Sequence, residues 1–252
     1  MVRLPRTSTA CPRRTLVTVT ALIVTLAACS GAGESGPDTE SPVTTSATTS
    51  APASTSETPD TTAVVTPELE QLALWPSASE VFTSPRAVAE DFVVQVLGVP
   101  PELGEFMAGD ARSGEIEVYS PGDPPTLRSL LLLRQLGPSD GWFVIGTIND
   151  NAVITSPVSG QGISAGQVTV SGQAEGFEAT VIIEAFVAGR PEPVLDREVT
   201  FAGNLGVPAP FEVTLDLTDA NPGDTILIIV RGGVGLETDP GHFGAIAVVI
   251  VA

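Results

Sequence analysis

The chain contains no lysine: all 11 of its basic residues are arginine, set against 30 aspartates and glutamates. The formal net charge is −19. Four of the arginines (Arg3, Arg6, Arg13, Arg14) fall in the first 14 residues, so the remainder is still more acidic. Such a balance opposes broad electrostatic binding to nucleic acid or to anionic headgroups. Cysteine is almost absent as well. Cys11 and Cys29 are the only two, so everything beyond residue 29 has no disulfide and no thiolate metal site, and must rest on its own core. There is a single histidine, His242, and no Gly-x-Ser-x-Gly elbow, so a serine-hydrolase triad would have to be built wholly on that one ring. Aromatics are scarce too: two tryptophans, one tyrosine and nine phenylalanines, few enough that core positions account for most of them. The exposed aromatic platforms of a cell-wall-binding surface are therefore not expected.

Residues 1–15 carry arginine and no acid, and Leu16–Ala28 is an apolar run interrupted only by threonines. That run is shorter than the roughly 20 residues a spanning helix needs and suits the core of an export signal. It closes on Leu26-Ala27-Ala28-Cys29, which resembles the lipobox of bacterial lipoprotein signal peptides. The resemblance implies cleavage before Cys29, lipidation of its sulfur, and an extracytoplasmic protein held to the cell membrane by that lipid. Arg13-Arg14 also resembles a twin-arginine signal, which leaves the export route open between the general and twin-arginine pathways. Residues 29–66 are dominated by Ser, Thr, Pro, Ala and Gly without apolar periodicity, and read as a disordered stalk.

Residues 67–148 read as a small α+β domain. Ser84 is a good N-cap, Pro85 a good first helical residue and Gly98 a good stop. Val88, Phe92 and Val96, with Ala89, Val93 and Leu97 beside them, form one apolar helix face. Strands are expected at Glu115–Tyr119, Leu127–Leu136 and Trp142–Ile148, with Gly137–Gly141 as a hairpin connection.

Residues 151–252 read as an immunoglobulin-like β-sandwich, which makes the chain mainly β. Short strands are expected near 152–155, 167–174, 180–188, 194–201, 211–217, 225–231 and 243–251. Phe211, Val213, Leu215 and Leu217 alternate with Glu212, Thr214 and Asp216, the period of a half-buried strand. Ala179–Val187 and Ile226–Val230 are more continuously apolar, as strands covered on both faces would be. With its own alternating strands and no cysteine tying it elsewhere, this segment is expected to fold alone. Several stretches resemble the immunoglobulin-like domain of bacterial spore germination proteins. These are Ile154-Thr155-Ser156-Pro157, Gly160, Val168-Thr169-Val170-Ser171-Gly172 with Ala174, and Phe177–Val181, followed by Pro210–Leu215 and Ile246–Val251. The long stretch Gly232–Gly244 departs from that pattern. The resemblance implies a fold and an envelope setting, not a reaction.

Candidate sites follow from the loops. If the strands take the usual sandwich order, the connections near Glu175–Glu178, Ala202–Pro210 and Gly232–His242 gather at one end. Long loops on rigid scaffolds often carry binding residues. Leu205 and Leu236 are expected as apolar contacts there, and Glu237 and Asp239, near His242, as the charges that set preference. His242 with Glu237 and Asp239 would make a weak zinc set. Asp216, Asp219, Asn221 and Asp224 could suggest calcium, but lack the EF-hand spacing and also describe a turn. Arg112, Arg128 and Arg134 would make an anion pocket or, more ordinarily, surface ion pairs. No metal, cofactor or catalytic residue is assigned. The expected function is a lipid-anchored, non-enzymatic binding or assembly module that meets an envelope protein or cell-wall component, with a link to spore germination or envelope maintenance. The competing class is an envelope-acting hydrolase using a carboxylate pair.

Overall fold

The computed structural model describes residues 69–252. The expected signal peptide, Cys29 and the expected stalk lie outside the described residues. Ser84 caps the helix as its sequence predicts, its hydroxyl accepting from the Ala87 amide at 3.4 Å. Pro85 opens α1 (Pro85–Phe92), which buries Val88, Ala89 and Phe92. The expected last turns, Val93–Leu97, widen to π-helical spacing and end at Gly98 in the left-handed region, φ 70°. The widening coincides with three β-branched valines, the residues least suited to a tight helical turn.

Four antiparallel strands follow in sheet order β1-β2-β3-β4: β1 (Met107–Asp110), β2 (Ser113–Tyr119), β3 (Leu127–Leu136) and β4 (Gly141–Ile148). Alternate residues of β2 and β3 are buried beneath α1. Trp75 stitches the segment before the helix to β4 through Val144, and its indole N–H donates to Asp91 of α1 at 2.8 Å.

The remainder is a sandwich of two sheets. One has the order β10-β7-β5, from β10 (Ala209–Asp216), β7 (Gln167–Ala174) and β5 (Ala152–Ser156). The other has the order β6-β12-β11-β8-β9, from β6 (Gly162–Ser164), β12 (Phe243–Val251), β11 (Thr225–Gly232), β8 (Thr180–Val187) and β9 (Asp196–Phe201). All pairings are antiparallel except β6 with β12. Val170, Phe211 and Leu215 meet Val181, Ile183, Ile226, Ile228 and Val230 between the sheets.

The five-stranded sheet is apolar on its other face as well. Phe186, Leu227, Ile229, Phe243, Ala245 and Ala247 point away from the sandwich core and pack with Val88, Phe92, Val93, Ile116, Leu131 and Trp142. The Phe92 and Phe243 rings lie 6.5 Å apart. The chain turns between β4 and β5 near the expected boundary, yet the hydrophobic core does not divide there. The helix and four-stranded sheet are the lid on the second face of the sandwich's larger sheet.

A candidate binding surface at the loop end of the sandwich

Three connections meet at one end of the sandwich, and backbone hydrogen bonds lock them together. The Gly176 amide donates to Gly203, the Phe177 amide to Gly233 at 2.7 Å, the Gly233 amide to Thr180 and the Gly232 amide to His242, both at 2.8 Å. The close approach requires glycine: a Cβ on Gly176 would collide with the Thr180 carbonyl, and one on Gly232 with the Glu175 carbonyl.

Beneath the loops lies a buried polar cluster. Arg128, at the start of β3, donates from Nε and Nη2 to the two carboxylate oxygens of Asp239 at 2.9 and 2.6 Å. Both side chains are largely buried, 18% and 10% exposed. The planar guanidinium fork matches the carboxylate, and such charge-assisted pairs hold geometry well. Removing one partner of a buried pair typically costs about 3–5 kcal/mol, because the other charge is left stranded. His242 sits beside it. Asn149 spends its two amide N–H groups on the Arg128 carbonyl and on His242 Nδ1, the latter at 3.1 Å. That assigns the ring proton to Nε2, which faces Glu175 Oε1 at 3.5 Å. Burial and the Arg128 charge hold the His242 pKa below its usual value, against the opposing pull of Glu175 and Asp239. Both effects favour the neutral imidazole.

Above this base the end is apolar and exposed. Leu205 is 91% exposed at the tip of a two-residue turn, held by mutual Asn204–Val207 backbone bonds of 3.1 Å. It is a leucine in the left-handed region, φ 54°, followed by Gly206 at φ 79°. A non-glycine residue there carries backbone strain, and an exposed apolar side chain gains nothing from folding to offset it. Leu236 and Phe177 are also more than half exposed. Two clefts flank the Gly233–Leu236 strip. One, of about 490 Å³, is lined by Leu97, Val99, Ile182 and Arg231. The other, of about 340 Å³, is lined by Arg128, Glu175, Leu205 and His242.

The five residues expected at this end therefore lie at one end of the fold but in different roles. Leu205, Leu236 and Glu237 face solvent. Asp239 is occupied by Arg128, and His242 is half-buried within the base. Phe177, Arg128, Asn149 and Glu175 were not singled out for the surface. Phe177 and Glu175 had a signal, both lying inside the named Glu175–Glu178 loop; Arg128 and Asn149 are joined to it only by the fold. Among the described residues no group of three or more His, Asp or Glu side chains is arranged to hold a metal. Asp224 accepts the Asn221 amide at 2.9 Å and Asp216 accepts the Thr218 hydroxyl and amide, so these carboxylates cap turns. Hydrogen bonding from Thr218 also lowers the Asp216 pKa. Arg112 pairs with Asp140 at 2.7 Å and Arg128 with Asp239, while Arg134 lies near the opposite end of β3 from Arg128, so the three arginines form no common pocket.

Residues 151–231 match the family model described as the immunoglobulin-like domain of bacterial spore germination, so the C-terminal part of this chain carries a domain of that family. The match stops within β11, where the Gly232–Gly244 stretch begins to depart from the pattern; β12 lies beyond it and completes the sheet beside β11. No curated protein matches the chain. No helix among the described residues is long and apolar enough to cross a membrane.

Proposed function

We propose that this is an extracytoplasmic protein, anchored to the cell membrane by lipid on Cys29, that acts as a non-enzymatic binding or assembly module in spore germination or envelope maintenance. Its partner face is the loop end, where Leu205, Leu236 and Phe177 make apolar contact and Glu237 supplies charge. The observation that carries this reading is the 91% exposure of Leu205 on a strained turn above a rigid, internally paired base. Position supports it too. The chain joins the fold at the β3–β4 hairpin, where Leu69 lies against Gly137 and the Glu70 carboxylate accepts the Gly137 amide at 2.8 Å. Arg128 and the loop end lie at the other end of β3, about 30 Å away at the rise of an extended strand. The bound species is an envelope protein or cell-wall component with an apolar contact zone.

The test is capture from native membranes with the parent and with a triple variant, Phe177→Ser, Leu205→Ser and Leu236→Ser. All three side chains are exposed, so thermal stability is expected to hold while captured envelope material is lost. Unchanged capture at unchanged stability would place the partner face elsewhere.

A further inference from the structure

Strand β9 closes one edge of the five-stranded sheet, and its alternation is inverted. In an ordinary sandwich the apolar residues of a strand face the second sheet and the polar ones face water. Here Glu198 and Thr200 stand opposite Ile183 and Val181, on the face toward the sandwich core. Val199 and Phe201 stand opposite Ile182 and Thr180, on the outer face, and they are 57% and 77% exposed. The lid formed by α1 and the four-stranded sheet does not reach them.

The backbone at this edge is open as well. The Ala202 amide donates to Ala179 at 2.9 Å, which makes that pair a hydrogen-bonded one. Antiparallel pairs alternate between bonded and non-bonded. The pairs of Thr200 with Val181 and of Glu198 with Ile183 are therefore bonded, and Arg197, Val199 and Phe201 direct their N–H and C=O groups away from β8. Among the described residues no strand pairs on that side; β10 of the other sheet touches the start of β9, where the Asp196 carboxylate accepts the Asp216 amide at 2.7 Å. The Arg197 amide meets only the Asp196 carboxylate, at 2.8 Å. An unpaired edge bearing exposed apolar side chains is a template for another strand.

We propose that β9 pairs with β9 of a second copy of this chain, antiparallel about a two-fold axis at Val199, so that the five-stranded sheet runs on into its partner. The charge pattern selects this occupant. With Val199 opposite itself, Arg197 falls opposite Phe201 and Glu198 opposite Thr200, so no like charges face each other. Arg197 is half-exposed and lies across from an aromatic ring, a favourable cross-strand pair. A shift that sets Arg197 against Val199 brings Glu198 onto its own copy and is disfavoured. In the chosen register the outward backbone groups of Arg197, Val199 and Phe201 all find partners, which satisfies the whole open edge. The interface is small, so the association is weak and symmetric.

Cysteine cross-linking of the full chain in membranes reads this directly. Val199 faces its own copy across a bonded antiparallel pair, where Cα atoms lie about 5.5 Å apart, within the range a disulfide spans. Val199→Cys is expected to give a covalent homodimer under mild oxidant several-fold faster than Asp219→Cys, an exposed turn position away from β9, with the unsubstituted chain as baseline. Adding Phe201→Arg sets two guanidinium groups opposite one another and should abolish the cross-link, with thermal stability unchanged because Phe201 is exposed. Equal rates at the two positions, a cross-link indifferent to Phe201→Arg, or an adduct with a different protein would each overturn the proposal. If Val199→Cys does not fold, sedimentation equilibrium of the unsubstituted full chain in detergent decides. A weight-average mass above the monomer, lowered by Phe201→Arg, supports the pairing, and a monomer at up to about 1 mM overturns it.

Discussion

His242 lies at the loop end as part of the base, where Asp239, named with it from sequence, is joined by Asn149 and Glu175, which were not; the ring accepts from Asn149 and faces Glu175. Its pKa in the fold is held below its usual value, chiefly by burial and next by Arg128. Between that lowered value and about 6.5, the unfolded chain binds more protons than the folded one. Stability from the neutral ring is therefore fully present above about pH 6.5 and is lost as pH falls toward the folded pKa. Acidification also relieves the repulsion of a strongly negative chain, so the effect is read as a difference from a variant. We expect the stability of the parent, relative to His242→Gln, to fall as the pH drops below about 6.5, by up to about 1.4 kcal/mol per unit of pH until the folded pKa is passed, measured by chemical denaturation at each pH. A pH-independent difference would show that the ring is not held neutral by the fold. Arg128 and Asp239 are 111 residues apart and were legible only separately, Arg128 as one of three arginines for a pocket or surface ion pairs and Asp239 as a charge of the partner face; their pairing emerges only when β3 and the β11–β12 loop are brought together.

The secondary elements were far more legible. Helix α1 begins at Ser84-Pro85 and the helical stretch ends at Gly98, as capping chemistry dictates, and the strands from β7 to β12 fall where alternation and turn residues put them. Two were missed. Strand β1 is exposed at every position and so has no apolar period, and β6 is three residues long and formed only by pairing alongside β12. The more continuously apolar β8 and β11 did announce cover on both faces. What the pattern could not say is that the cover on the second face comes from residues 69–148. This bears on the expectation that 151–252 folds alone. Excision would bare Phe186, Leu227, Ile229 and Phe243, side chains whose burial is each worth about 1.5–3 kcal/mol. Against a typical domain stability of about 5–15 kcal/mol, that loss is decisive. We expect the isolated segment to melt far below the 60–252 unit or to aggregate, by calorimetry of the two side by side. Equal melting temperatures would mean the second core contributes little to the sandwich.

At the scale of the whole molecule, as proposed, the loop end meets the partner and the β9 edge meets a second copy. The strong acidity, sequence pI about 4.1 with no lysine, opposes adhesion to anionic surfaces, so charge does not account for the membrane attachment proposed above. Nor does any described helix provide a span. The attachment proposed here rests on one sulfur atom, and Cys29 is the only cysteine beyond the apolar run. Fractionation of cells producing the parent and Cys29→Ser tests this most directly. The parent is expected with membranes in a processed form, and Cys29→Ser is expected to be released to the medium or to accumulate uncleaved. Processing and membrane association of Cys29→Ser identical to the parent would contradict it.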